Sequence, residues 1–351
     1  MDSGIFRWIA DEEVLQDFVS DLSAVALLLI IVASVAILSK GADWMIDGVV
    51  DLARRTGLPK IVIGATVVSL GTTLPEAFVS VMAAFLGNPG LALGNGVGSI
   101  IADTGLIFGL TCVLVAVPVN RFILNRTGWV QVGSATLLVV IAVIAFMTAG
   151  DGEPMLGRWV GGFFLILLVV YLFITYRWAT QGGNVGYDEE ISTEDPMPLS
   201  KSWFMVVGGL TLVVAGARVL VPSASEIAVR AGVPEDVIAA TLVAFGTSLP
   251  ELMTAIAAIR KGHPEITVGN IVGADVLNVL FVIGAASVAA PLAIPDNFYF
   301  FHFPAMMIIL ISFRIFISMN KTAFRRWQGA WLLGVYGVYV ALQYILNVGG
   351  V

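Results

Sequence analysis

Two short polar islands interrupt long apolar runs of the sequence, and both hold residue types that bind hard cations. The first is Gly71–Glu76 (GTTLPE) and the second is Gly246–Glu251 (GTSLPE). Because the proline of each island has no N–H, the carbonyl four residues earlier loses its helical partner. Free carbonyls, hydroxyls and a carboxylate are all oxygen ligands, which suit Ca²⁺, Na⁺ or Mg²⁺ rather than Zn²⁺ or Cu⁺. The candidate ligands are Glu76, Thr72, Thr73, Glu251, Thr247 and Ser248.

A further polar residue follows each island at the same spacing, Asp103 in the first case and Asn278 in the second. With Glu76 and Glu251, Asp103 gives a formal charge of about -3, which a low-dielectric interior does not tolerate without cations. One Ca²⁺ nearly neutralises that charge and three Na⁺ neutralise it fully, so the two loads compete for one site. Asp275 has three open interpretations: a ligand, a proton site or a pore-lining residue. Two repeated asparagines, Asn95 and Asn270, either bind a cation or form hydrogen bonds between helices.

The composition predicts that these islands lie inside a membrane. The chain has 351 residues, of which 58% are hydrophobic and 12% charged, and its mean hydropathy is +0.94. Since a crossing takes about 20 apolar residues, we expect an all-α polytopic protein with ten transmembrane helices. The expected spans are 22–39 (with an amphipathic extension to 53), 59–86, 91–118, 128–149, 158–177, 202–229, 235–259, 265–292, 297–318 and 327–348.

The two halves of the chain are a repeat. Residues 57–109 align without a gap with residues 232–284, and 20 of the 53 aligned positions are identical. Five spans in each half place the second copy upside down in the membrane, which predicts two inverted five-helix repeats with the site near the midplane. We expect an extracytoplasmic segment at 1–21, repeats at 22–178 and 202–351, and an acidic cytoplasmic linker at 179–201. The lysine and arginine distribution places both termini outside a cell (inner) membrane.

Other functional classes find little support. The net charge is -7 without a basic block, so nucleic acid is not an expected partner. Two histidines and one cysteine do not supply a nucleophile–base pair or a cofactor site, and we expect neither an enzyme nor a cofactor. The expected partners are membrane lipid and small inorganic cations, and the oligomeric state is left open. Asp43, Asp47 and Asp51 are expected to be solvated or paired with Lys40 and Arg54.

The paired signatures GTTLPE…GNGVGSIIAD and GTSLPE…GNIVGADVLN resemble those of the cation/calcium exchanger superfamily, and within it the prokaryotic sodium/calcium exchangers. The resemblance covers the whole chain and implies four cation sites at the membrane centre. It also implies that Glu76 and Glu251 are the central calcium ligands. Further oxygens would come from the hydroxyls or carbonyls of the two islands, from the backbone at Ser69 and Ala244, and from Ser99, Asp103 and Asn278.

The chain departs from that pattern at two places. Exchangers of this type commonly have an asparagine in the first half and an aspartate in the second, whereas Asp103 and Asn278 are the other way round. Ala274 stands where a serine is usual. We therefore expect an antiporter that exports Ca²⁺ against Na⁺, with a divalent cation (Ca²⁺, Mg²⁺ or Mn²⁺)/H⁺ exchanger as the alternative. A passive cation channel is a more remote one.

Overall fold

The computed structural model describes residues 18–56, 60–85, 87–119, 121–150, 152–181, 197–230 and 248–345. Nearly all of these residues are helical. The α-helices are α1 Ala24–Thr56, α2 Lys60–Ile63, α3 Ser69–Thr72, α4 Leu74–Phe85, α5 Pro89–Ala102, α6 Gly109–Leu114, α7 Arg121–Thr148, α8 Arg158–Gln181, α9 Leu199–Arg230, α10 Leu249–Arg260, α11 Pro264–Leu277, α12 Gly284–Ala289, α13 Phe303–Met319 and α14 Arg326–Ile345. Two short strands, β1 Met155–Leu156 and β2 Leu292–Ala293, pair antiparallel.

Seven helical segments of the described residues are long and apolar enough to cross a membrane, and an eighth is reached if the bent pair at residues 60–85 counts as one span. The expectation of a polytopic α-helical protein is thereby confirmed. The full count of ten remains a prediction, since part of the expected span at 235–259 lies outside the described residues. Residues 1–17 and 182–196, which hold most of the N-terminal segment and of the acidic linker, also lie outside them.

Within the described residues, four π-helical segments interrupt or extend the α-helices, and two of them occupy equivalent positions in the two sequence repeats. The equivalent pair is Asp103–Phe108, after α5, and Asn278–Ile283, after α11. The others are Gly64–Val68, between α2 and α3, and Phe298–His302, before α13. A π-helical turn widens the helix and is frequent at functional sites. The sequence analysis did not anticipate these segments.

The helices α5 and α11 lie in the interior, whereas α1, α7, α8 and α9 have exposed apolar faces. Glycines on α11 allow the chain around α2 and α3 to come close. A Cβ atom at Gly273 would lie 2.5 Å from the carbonyl oxygen of Ala65 and 2.6 Å from the Ser69 hydroxyl. A Cβ atom at Gly269 would collide with the Ile61 carbonyl. Only glycine fits this crossing, which brings α11 directly against the first island.

The long helices α1 and α9 pack against each other over most of their length. A Cβ atom at Gly209 would lie 2.5 Å from the Gly41 carbonyl oxygen, and one at Gly41 would lie 2.7 Å from the Gly209 carbonyl oxygen. The backbones therefore touch at this crossing, and a larger residue at either position would force the helices apart. This close contact predicts that α1 and α9 behave as one unit.

Two aspartates of α1 have partners other than the expected Lys40 and Arg54, and Asp51 is buried rather than solvated. Asp51 accepts hydrogen bonds from the Ser202 hydroxyl at 2.5 Å, the Met197 amide at 2.9 Å and Arg55 Nε at 2.9 Å. Asp47 pairs instead with Lys261 Nζ at 2.7 Å. Three of these partners come from chain segments distant from α1, and helical spacing within α1 gives no information about them.

Candidate cation-binding site

Four acidic side chains lie in the interior of the helical bundle, and each is only 1% exposed. They are Glu76, Asp103, Glu251 and Asp275. Glu76 and Glu251 occupy the first turns of α4 and α10, whereas Asp103 follows α5 and Asp275 lies in α11. Four ionised carboxyl groups in one buried region are costly in a low-dielectric interior unless bound cations or bound protons compensate their charge.

The first island breaks its helix as the sequence predicts. α3 ends at Thr72, α4 begins at Leu74, and the helical segments on the two sides are bent by 41°. Pro75 provides no N–H for the carbonyl of Gly71, so the bend occurs where the helical ladder lacks a donor. The break leaves the C-terminal end of α3, with its partial negative charge, beside Glu76. This arrangement attracts a cation.

The second island repeats this arrangement as far as the structure describes it. α10 begins at Leu249 and has Pro250 and Glu251 in its first turn, directly after the buried Ser248. Thr247 and Ala244, two of the predicted ligands, lie outside the described residues. For this half the geometry therefore concerns the carboxylate and one hydroxyl.

The acidic groups of the two islands meet. Glu251 lies close enough to Glu76 and Asp103 for their charges to interact, and Asp275 interacts with Asp103 in the same way. The Ser248 hydroxyl lies beside Asp103. The fold thus brings together carboxylates from both halves of the chain, as the inverted repeat predicts.

Most oxygens of these side chains have no hydrogen-bond partner although they are buried. Among the described residues, the unpartnered buried oxygens of the predicted set are Thr73 Oγ1, both carboxylate oxygens of Glu76, Ser99 Oγ, Asp103 Oδ1, Ser248 Oγ, Glu251 Oε2, Asp275 Oδ1 and Asn278 Oδ1. Buried polar atoms are normally paired, so this concentration requires an explanation. Oxygen ligands at 2.3–2.6 Å are what Ca²⁺ takes, typically six to eight of them. The unpartnered oxygens are of the chemical type that a hard cation binds, although no three acidic side chains of the described residues already surround a single ion position.

Two further members of the predicted set lie in the same region with other partners. Thr72 is fully buried, and its hydroxyl donates to Asn270 Oδ1 at 3.3 Å and lies beside Glu251. Ser69 is also fully buried, and its carbonyl accepts the Thr73 amide at 2.9 Å. The same carbonyl also accepts the Thr72 hydroxyl at 3.4 Å, so a cation bound to this carbonyl would replace that long hydrogen bond.

Both repeated asparagines connect helices. Asn95 Nδ2 donates to the Glu76 carbonyl oxygen at 3.0 Å and to the Ser80 hydroxyl at 3.0 Å. Asn270 Nδ2 donates to the Thr254 hydroxyl at 3.3 Å. Of the two interpretations left open by the sequence, interhelical hydrogen bonding describes these amide groups.

Asp275 has partners that the sequence analysis missed. Its Oδ2 accepts hydrogen bonds from Thr104 Oγ1 at 2.5 Å and from Gln131 Nε2 at 2.6 Å. Gln131 belongs to α7, a helix outside the repeated signatures. A glutamine inside a membrane span is unusual. Its presence was the one feature of the sequence that could have indicated a contact of this kind.

Comparisons with known proteins show what this chain is similar to. A family model described as "Sodium/calcium exchanger protein" matches residues 26–177 and 201–345. The chain is 31% identical over 333 residues to the inner membrane protein YrbG of Escherichia coli, covering 93% of this chain and 98% of YrbG. It is 28% identical to the sodium/calcium exchanger MaX1 of Methanosarcina acetivorans, covering 91% of this chain and 98% of that protein.

Solved structures show the same similarity. The sodium-calcium exchanger NCX_Mj superposes with a TM-score of 0.76 at 28% sequence identity, covering 91% of this chain and 99% of NCX_Mj. The superposition covers nearly the whole chain, and the ranges matched by the family model include both islands.

Proposed function

The chain belongs to the sodium/calcium exchanger family, and from this premise we propose that it is a secondary antiporter that exports Ca²⁺ in exchange for Na⁺ by alternating access. Membership makes it a multi-span membrane protein of a transporter family. The direction of transport and the residues that bind each ion are part of the proposal.

The ligand set follows from the unpartnered oxygens. We assign Glu76 and Glu251 as central Ca²⁺ ligands and Asp103 as the third carboxylate. Hydroxyl, amide and backbone oxygens complete the set, from Thr72, Thr73, Thr247, Ser248, Ser69, Ala244, Ser99 and Asn278. Asp275 provides a fourth carboxylate beside Asp103. The observation that carries this assignment is the cluster of buried, unpartnered oxygens around carboxylates from both halves.

Charge balance explains why two ions compete for this site. Glu76, Asp103 and Glu251 carry about three negative charges when ionised, and burying them without compensation is unfavourable. Either one Ca²⁺ or about three Na⁺ compensates most of the charge of these three carboxylates, to which Asp275 adds a fourth when ionised. The two loads compete because both need the same oxygens. Exclusive occupancy by one load or the other is the basis of coupled exchange.

The topology belongs to the same proposal. Ten spans in two inverted repeats, 22–178 and 202–351, would place the carboxylates of both islands at the repeat interface. The equivalent π-helical segments at Asp103–Phe108 and Asn278–Ile283 support this internal symmetry. Both termini and residues 1–21 would lie outside a cell (inner) membrane, with the linker 179–201 in the cytoplasm.

A second candidate function is favoured by three residues that differ from the usual exchanger pattern: Asp103, Asn278 and Ala274. Ala274 is fully buried and provides no hydroxyl where a serine is usual, which removes one oxygen from an Na⁺ site. An exchanger of Ca²⁺, Mg²⁺ or Mn²⁺ against H⁺ would not need that oxygen. A passive channel would instead carry the cation down its own gradient without a counter-ion.

A panel of ion gradients in proteoliposomes separates these functions. Purified protein is reconstituted, and uptake of Ca²⁺, Mg²⁺ and Mn²⁺ is measured with outward gradients of Na⁺, K⁺ or H⁺, each with the membrane potential clamped. We expect Ca²⁺ uptake that requires the Na⁺ gradient. Uptake driven equally well by H⁺ alone would contradict sodium coupling, and uptake without any counter-gradient would indicate a channel.

A further inference from the structure

Asp275 is held from one side by two hydrogen-bond donors of different helical segments. Thr104 Oγ1 and Gln131 Nε2 both donate to its Oδ2, at 2.5 Å and 2.6 Å, and they also contact each other at 3.4 Å. All three side chains are at most 1% exposed. The other carboxylate oxygen, Oδ1, is buried without a hydrogen-bond partner. One oxygen is therefore fixed and the other remains available.

This arrangement joins Asp275 of the second half to Thr104 and Gln131 of the first half, and it occurs at only one of the two repeat-related positions. The repeat counterparts of Asp275 and Thr104 are Ile100 and Val279, both fully buried and apolar. Gln131 comes from α7, which lies outside the aligned repeat segments. The repeat-related position therefore has an isoleucine of the first half and a valine of the second in place of a carboxylate and a donor. Asp275 therefore has no acidic counterpart in the other repeat, unlike Glu76 and Glu251, which are equivalent to each other.

We propose that Gln131 and Thr104 are positioning residues that fix Asp275 beside Asp103 as a fourth carboxylate of the cation site, and that this raises the preference of the site for a divalent cation. The inference rests on the proposed function and adds to it the residues that set the choice between Ca²⁺ and Na⁺. Groups that orient a metal-binding side chain through a hydrogen bond typically contribute a factor of about 10–100 to metal affinity.

The preference for a divalent ion follows from Coulomb's law. A carboxylate at a given distance attracts Ca²⁺ with twice the energy with which it attracts Na⁺. A change that weakens Ca²⁺ binding by about tenfold should therefore weaken the binding of each Na⁺ by about threefold, the square root of that factor. Loss of the positioning residues is expected to move the two half-saturating concentrations unequally.

Four variants test the inference: Gln131→Leu, Thr104→Val, Asp275→Asn and the double variant with Gln131→Leu and Asp275→Asn. Asp275→Asn keeps an oxygen acceptor for both donors and removes the charge. Thr104→Val is isosteric and provides a second route if Gln131→Leu does not fold. The matched control is Gln328→Leu, because Gln328 is a fully buried glutamine whose partners, Asn320 and the Arg325 amide, lie in the chain around the start of α14.

The measurements are Na⁺-driven Ca²⁺ uptake against Ca²⁺ and Na⁺ concentration, Ca²⁺ binding by calorimetry, and thermal unfolding. We expect Gln131→Leu to raise the half-saturating Ca²⁺ concentration by about tenfold and that of Na⁺ by about threefold, with the maximal rate within about twofold of wild type. In the Asp275→Asn background the same substitution should change neither value, since its effect passes through Asp275. Gln328→Leu should leave both concentrations unchanged.

A purely structural role gives a different pattern. Gln131→Leu would then lower the unfolding temperature and the maximal rate equally with or without Asp275→Asn, and the half-saturating concentrations would stay constant. That result, or equal shifts for Ca²⁺ and Na⁺, overturns the inference. Wild-type protein without Na⁺-driven Ca²⁺ uptake would overturn the proposed function instead, so the two failures are distinguishable.

Discussion

Replacing Glu76 by glutamine tests the central assignment, because the substitution keeps the shape of the side chain and removes one charge. Both carboxylate oxygens of Glu76 are buried without hydrogen-bond partners. The acidic groups that interact electrostatically with Glu76 are Asp103 and Glu251. At about 4 Å and an effective dielectric constant of about 20, two unit charges interact by about 4 kcal/mol, which doubles to about 8 kcal/mol for a divalent ion. Even half of the larger value, about 4 kcal/mol, weakens Ca²⁺ binding about a thousandfold.

Glu76→Gln should weaken Ca²⁺ binding but should stabilise the fold of the protein without bound cations. Without cations, the Glu76 carboxyl group beside two other buried acidic groups is either ionised at a cost or must take up a proton. Glu76→Gln removes this requirement, so unfolding without cations should occur at a higher temperature than in wild type. Added Ca²⁺ at about 100 times the wild-type Kd stabilises wild type by about 2.7 kcal/mol through binding. With a thousandfold weaker site, the same Ca²⁺ concentration should add less than about 0.1 kcal/mol to the variant.

The assays are Na⁺-driven ⁴⁵Ca²⁺ uptake in proteoliposomes and thermal unfolding with and without Ca²⁺. The control is Glu265→Gln, because Glu265 lies in the first turn of α11 and pairs with Lys60 at 3.9 Å, away from the centre. It should retain uptake and stabilisation by Ca²⁺. Wild-type uptake by Glu76→Gln, or an undiminished stabilisation by Ca²⁺, would refute the assignment of Glu76 as a ligand.

Three further changes test other parts of the argument. Asp103→Asn should lower Na⁺-driven Ca²⁺ uptake by about tenfold or more, and adding Asn278→Asp should restore part of it because the charge returns to the equivalent position; no recovery in the double variant would contradict their equivalence. Gly209→Val should reduce the yield of folded protein, measured by size-exclusion chromatography, because its Cβ would lie 2.5 Å from the Gly41 carbonyl oxygen; a wild-type yield would show that α1 and α9 separate easily. Asp51→Ala should lower the unfolding temperature, because it leaves three hydrogen-bond donors without their acceptor and so reduces the free energy of unfolding by about 3 kcal/mol or more. An unchanged unfolding temperature would mean that the hydrogen bonds to Asp51 contribute no stability.

Much of the candidate site was predictable because its information is local. The islands Gly71–Glu76 and Gly246–Glu251 combine proline, hydroxyls and a carboxylate within six residues, and a proline breaks a helix wherever it stands. The constant spacing between the two copies then predicted that Glu76 and Glu251 meet, since inverted repeats place equivalent residues at one interface. The structure brings these two residues and Asp103 together, as expected.

The partners of Asp275 could not be predicted in this way. Gln131 is 144 residues away along the chain, and neither helical periodicity nor the repeat relates the two positions. The same holds for Asp47, whose partner Lys261 follows α10. Their contacts depend on how separate helices cross, and those crossings are set by side-chain packing over the whole bundle.

The sequence by itself determined the membrane class, the repeat and the oxygen-rich character of the candidate site, because composition, the similarity of the two copies and the helix-breaking prolines do not depend on how the helices pack. The tertiary structure decided which oxygens of that site remain unpartnered, where the π-helical segments place Asp103 and Asn278, and that Asp275 is fixed by Thr104 and Gln131. Each of these depends on distances between helices that are remote in sequence. Those distances exist only once the bundle has packed.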